Sequence, residues 1–151
     1  CKLEVTIVEG RKFSSEDPIG KSDIFVKVYL SKSNQLRRTR TIQDNNNPVW
    51  NEPFSFNVQL EDDAIYFDVF DEDLEKDDKI GQGNVKLVDV FDDAKFDDWI
   101  KIRVFGGSTA AGEIHVTINV EVRSFFTNSS KQSKKVMFVR FSVFNWQYSM
   151  D

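Results

Sequence analysis

Apolar and polar residues alternate with a period of two through most of the first 122 positions. Leu3, Val5 and Ile7 alternate with Lys2, Glu4 and Thr6; Ile24, Val26, Val28 and Leu30 alternate with Phe25, Lys27 and Tyr29. Successive side chains of a strand point to opposite faces, so this period predicts strands with one buried face. Further strands are expected at 36–43, at 53–59 through Phe54, Phe56 and Val58, at 64–70 through Ile65, Phe67 and Val69, at 80–87 and at 99–105. The clearest is 114–122, where Ile114, Val116, Ile118, Val120 and Val122 alternate with His115, Thr117, Asn119 and Glu121. Turn-rich segments, D-P-I-G-K-S-D, N-N-N-P and G-G-S-T-A-A-G, separate the strands. Eight short strands punctuated in this way predict an all-β, antiparallel, eight-stranded β-sandwich. Helix is expected only as one short turn within 88–98, where Val88, Phe91 and Phe96 recur near helical spacing.

The chain has 151 residues, 40% hydrophobic and 30% charged, the profile of one folded domain. A domain of that size buries about two thirds of the surface of its unfolded chain and needs no covalent staple. Cys1 is the sole cysteine, which excludes an internal disulfide, and no stretch approaches the ~20 apolar residues of a spanning helix. The first residue is Cys rather than Met, which suggests a trimmed or processed chain, and a lipid on Cys1 is the less favoured reading. Trp50, in N-P-V-W-N-E, is expected to be a core anchor. His115 faces outward with no partner in its own stretch of sequence and is assigned no function.

Charge divides the chain. Residues 1–123 hold 24 acids and 16 bases, whereas 124–151 hold one acid and four bases among seven aromatics. The expected organisation is a domain over 1–123 and a basic, aromatic C-terminal extension over 124–151 of ambiguous period, open as an interfacial membrane element, a ninth strand, part of a following domain or an unrelated extension, with packing favoured over a membrane role because so many exposed aromatics would form a large apolar patch. An acidic body argues against nucleic acid, which calls for a basic face, and suggests a cation.

Two aspartate clusters lie at strand ends. D-P-I-G-K-S-D places Asp17 and Asp23 around a turn; F-D-E-D-L-E-K-D-D-K-I-G places Asp71 and Asp73 at the exit of one strand and Asp77 and Asp78 at the entry to the next. A single loop aspartate is most often a solvated surface acid. Here, however, ten of the eighteen residues from 61 to 78 are acidic while a strand pattern runs through them, and a disordered acidic tail would carry no such pattern. Converging carboxylates repel one another unless a cation neutralises them, and flexible oxygen-donating loops suit Ca²⁺ better than Mg²⁺. With one His and one Cys, both far from the aspartates in sequence, zinc does not fit. Nor does an EF-hand: its sixth position would be Lys76 and its twelfth Gln82.

At these residues the chain resembles the C2 domains. The resemblance covers 2–122 and rests on K-L-E-V-T-I-V-E-G, G-K-S-D-I-F-V-K-V-Y-L, N-P-V-W-N-E-P-F-S-F and V-F-D-E-D-L-E-K-D-D-K-I-G. It implies a sandwich whose loops at one end bind Ca²⁺ and then phospholipid. Its type II topology would have the first strand lead straight into the first aspartate loop. Carried over by position, the resemblance implies Asp17, Asp23, Asp71 and Asp73 as ligands of two Ca²⁺ ions, with Asp78 as the fifth. Because the third loop is a residue shorter than in some members, Asp77 stays open for that role. The carbonyls of Glu16 and Glu72 would complete the set. Ile24 and Phe25 replace the usual Pro and Tyr with similar bulk.

The implied function is Ca²⁺-dependent binding to anionic phospholipid, reversible and peripheral, at the cytoplasmic face of membranes, in signalling or trafficking. Ile19, Lys21, Leu74 and Lys76 would form loop tips that meet headgroups without deep insertion. Lys27, Arg38 and Arg40 resemble the family's basic groove for phosphoinositides, although a solvated basic face is as good a reading. The alternative is a Ca²⁺-independent protein-interaction or scaffolding domain. Catalysis is not expected, since the chain has no G-x-S-x-G, no P-loop and no Cys/His pair.

Overall fold

The computed structural model describes residues 1–13, 20–104 and 107–121. The C-terminal extension, Val122 and the first-loop residues Glu16, Asp17 and Ile19 lie outside the described residues.

Among the described residues, eight strands and one helix follow in the order β1 (Lys2–Arg11), β2 (Ile24–Leu30), β3 (Leu36–Arg38), β4 (Val49–Asn57), β5 (Ala64–Asp71), β6 (Asp78–Lys86), α1 (Leu87–Asp93), β7 (Lys95–Arg103) and β8 (Ala110–Glu121). All pairings are antiparallel. The spatial order β3-β2-β5-β6-β7-β8-β1-β4 divides into two four-stranded layers joined where β6 meets β7 at a single pair, Gln82 and Arg103. β1 lies between β8 and β4, the connectivity that the resemblance implies as type II.

The period-two positions face inward as expected. Leu3, Val5 and Ile7 of β1, Val26 and Val28 of β2, Phe67 and Val69 of β5 and Ile114, Val116 and Ile118 of β8 are fully buried between the layers. Trp50 is buried too, and its indole Nε1 donates to the Arg40 carbonyl at 3.1 Å. The crossing of β6 onto β7 requires glycine: a Cβ on Gly81 would stand 2.5 Å from the Arg103 carbonyl oxygen.

β7 begins at Lys95 and β8 at Ala110, each four residues before the expected start, and three further differences from the pattern have a local reason. The strand expected over 36–43 stops at Arg38, because the buried Thr39 turns its own Oγ1 to accept the Val26 amide at 2.9 Å; pairing resumes only at an Ile24–Ile42 bridge. β4 starts at Val49, earlier than expected, and includes Pro53; among the described residues it is an edge strand paired only to β1, and so tolerates a residue without an amide hydrogen. The helix expected within 88–98 is α1, which ends at Ala94 in a left-handed conformation (φ 58°). Phe96 therefore belongs to β7 and not to a helical face.

Candidate functional site

The described aspartates of the two clusters stand at the ends of β2, β5 and β6. At the end of β1, Phe13 is buried against Gly10 and Gly112, where a Cβ on either glycine would collide with its ring, so the chain is anchored just before the first loop. Ser22 and Lys12, on the two sides of that loop, donate their amides to Asn46 Oδ1 at 3.1 Å and Asn47 Oδ1 at 3.2 Å. Asp23 Oδ1 accepts the Asp44 amide at 2.8 Å. In the sequence, Asp44 to Asn47 read as no more than a turn. The available signal was a run of short amide and acid side chains before Pro48, the type that satisfies loop amides locally.

The third loop joins the first directly. Asp71 Oδ1 accepts the Asp23 amide at 2.9 Å, and the Glu72 amide donates to the Asp23 carbonyl at 2.7 Å. Asp71 also pairs in register with Asp78 across β5 and β6, and Asp77 Oδ1 accepts the Asp73 amide at 3.3 Å. Asp23, Asp71, Asp73, Asp77 and Asp78 thus stand at one end of the sandwich. Among the described residues, no three acidic, His or Cys side chains are drawn together tightly enough to hold a metal ion. Asp23, Asp71, Asp73 and Asp77 each give Oδ1 to a backbone amide instead. The donor chemistry, all oxygen and borne on loops and strand ends, fits a hard cation.

Leu74 stands at the third-loop tip fully exposed, flanked by exposed Glu75 and Lys76, and Lys21 is exposed beside the first loop.

On the outer face of the β3-β2-β5-β6 layer, Lys27 and Arg38 are direct cross-strand partners. Phe25 and Phe70 stack beneath them at 5.2 Å, with Arg38 3.6 Å over Phe25 and Lys27 4.8 Å over Phe70. The third predicted member of that groove is tied elsewhere: the Arg40 guanidinium donates to the Trp50 carbonyl at 3.1 Å and its amide to the Glu52 carboxylate. A cavity of about 440 Å³ adjoins Lys27, lined by Tyr29, Gln35, Leu36, Asp68 and Phe70. At its floor Asp68 takes bonds from Tyr29 Oη at 3.1 Å and Gln82 Nε2 at 2.6 Å and an ion pair with Lys79 at 3.3 Å. Burial, reinforced by the Asp68 charge and hydrogen bond, pushes the Tyr29 phenol up to about 12.

His115 takes its partners from the neighbouring strand. Its Nε2 lies 2.6 Å from Asp97 Oδ1, and its ring stacks 5.3 Å from Trp99, which also carries the Arg11 guanidinium at 3.7 Å. Register brings these together, because Trp99 pairs with His115 across β7 and β8.

The sequence profile of the C2 domain family matches residues 1–102, so the chain belongs to the C2 domain family. Among individual relatives, it is 36% identical to Synaptotagmin-4 of Arabidopsis thaliana over 66% of this chain and 18% of that protein. It is 33% identical to Extended synaptotagmin-3 of Mus musculus over 77% of this chain and 13% of that protein. The chain thus spans less than a fifth of either relative. The calcium-bound pair of C2 domains of Extended-Synaptotagmin 2 superposes with a TM-score of 0.67 at 25% identity, over 78% of this chain and 44% of that one. No helix among the described residues is long and apolar enough to cross a membrane.

Proposed function

We propose that the domain over 1–123 binds Ca²⁺ through its first and third loops and thereby attaches reversibly to anionic phospholipid at the cytoplasmic face of membranes. The observation that carries this reading is the junction of the two aspartate loops through Asp23 and Asp71 in a chain of the C2 family. Asp17, Asp23, Asp71, Asp73 and Asp78, or Asp77 in its place, would hold two ions together with the Glu16 and Glu72 carbonyls. Bound Ca²⁺ would supply positive charge and open coordination positions for phosphate oxygens. In its absence, the acidic loops repel an anionic leaflet. Asp71 and Asp23 give only Oδ1 to the amides of Asp23 and Asp44, so the second carboxylate oxygen of each would serve a metal, and lipid oxygens that complete the shell would let the two ligands tighten each other's binding. The calcium-bound relative supports the same reading.

Lys21 and Lys76, beside the exposed Leu74, would meet headgroups, and Lys27 with Arg38 would take a phosphoinositide. A second reading, Ca²⁺-independent protein interaction, draws on the separation of the described carboxylates. Sedimentation with phosphatidylserine-containing vesicles across a Ca²⁺ series separates the two. Calcium-dependent pelleting that disappears in Asp71→Asn/Asp73→Asn establishes the switch, whereas pelleting of the wild type that ignores calcium refutes it.

A further inference from the structure

Glu72 lies between two candidate metal ligands, yet its side chain turns away from them. Its Oε1 forms a 2.9 Å ion pair with Arg38 Nη2, in the groove where Lys27 stands opposite Arg38. The Arg38 guanidinium is further held over Phe25 and by a 3.2 Å bond to Thr41 Oγ1. It is therefore pinned in place with a carboxylate of the protein itself bound to it through one oxygen.

We infer that Glu72 is a specificity-determining residue of this groove, an internal anion that any phosphate must displace from Arg38. This rests on the groove reading proposed above. A phosphodiester, as in phosphatidylserine, carries one negative charge, no more than the carboxylate it would replace. A phosphomonoester carries close to two and offers three oxygens, enough for the bidentate contact that the planar guanidinium favours. With Lys27 opposite, a headgroup bearing phosphomonoesters engages two cations at once and displaces Glu72, while a diester does not. Glu72 thus filters ligands by phosphate charge.

The test is sedimentation in EDTA, so that the aspartate loops stay empty, with vesicles containing either phosphatidylserine or a phosphatidylinositol bisphosphate at matched surface charge. Wild type is compared with Glu72→Gln, Arg38→Ala, the double variant, and Glu75→Gln, which removes an equal charge from the same loop. Because the Arg38–Glu72 pair is part exposed, Glu72→Gln is expected to raise affinity for phosphatidylserine vesicles roughly twofold to fivefold, with a smaller gain for the bisphosphate. Preference for the bisphosphate then narrows, and the effect vanishes in the Arg38→Ala background. Calorimetric titration with soluble inositol trisphosphate, expected to bind wild type and lose affinity in Arg38→Ala, reads the groove apart from the bilayer. An equal gain from Glu75→Gln, or a Glu72→Gln gain that survives loss of Arg38, would overturn the filter and leave the groove intact. If neither wild type nor any variant binds the bisphosphate or inositol trisphosphate, the groove reading itself falls.

Discussion

Asp71 accepts the backbone amide of Asp23 at 2.9 Å across 48 positions of sequence, so a side chain proposed as a metal ligand is also a tie between two loops. The two roles can be separated. Asp71→Asn keeps a carbonyl oxygen for the amide and relieves repulsion among the acids, so the calcium-free unfolding midpoint should hold or rise while calcium-dependent pelleting weakens. Asp71→Ala orphans the amide and should cost about 1 kcal/mol by urea unfolding.

Asp62 organises the opposite end of the sandwich. It is 7% exposed, and it accepts the amides of Lys32, Ser33 and Gln59 and the Ser33 hydroxyl at 2.8 to 3.0 Å. Burial works against its charge, but the three amides and the hydroxyl outweigh burial and hold the carboxyl below its usual value. Asp62→Ala should destabilise the domain by about 3 kcal/mol in chemical denaturation, since a charged acceptor of several bonds is lost.

The same group gives a pH dependence with a definite sign. Its folded pKa lies below the unfolded value of about 4, so its stabilisation is complete above that pH and is lost as pH falls through the folded value. The acid limb of the stability curve should flatten in Asp62→Asn, measured by urea unfolding at successive pH values. An unchanged slope would count against the assignment.

Gly112→Ala should cost about 1 to 3 kcal/mol, because the added Cβ would overlap the Phe13 ring, which is itself confined by Gly10. The companion change Phe13→Leu in the Gly112→Ala background should recover part of the loss. No recovery would show that the strain lies elsewhere.

Tyr29 should titrate late. With its phenol at about 12, held there by burial and Asp68, ultraviolet titration should find it still protonated where an ordinary tyrosine has ionised. Its contribution to stability is fully present below about pH 10, the unfolded value, and declines as pH rises toward 12. Asp68→Asn should bring the phenol down toward its ordinary value.

The strand pattern, the aspartates at the ends of β2, β5 and β6 and the buried Trp50 were all legible in the sequence. Strand alternation and turn chemistry are local: whether Val26 or Lys27 faces the core follows from neighbours one or two residues away. The positions that escaped are those where a partner arrives from far along the chain. Thr39 ends β3 because its hydroxyl meets the amide of Val26, thirteen residues back. His115 found Asp97 and Trp99 because β7 pairs with β8 in one register rather than another. Asn46 and Asn47 became supports of the first loop only once the β1 and β4 ends were brought side by side.

The sequence by itself determined that this chain builds eight short strands with one apolar face each and carries its acids where strands end, since both follow from side-chain period and loop composition. Only the tertiary structure decided which acids meet. Asp71 faces Asp23 while Glu72 turns to Arg38, because β2 lies between β5 and β3 and the pleat sends consecutive residues to opposite faces.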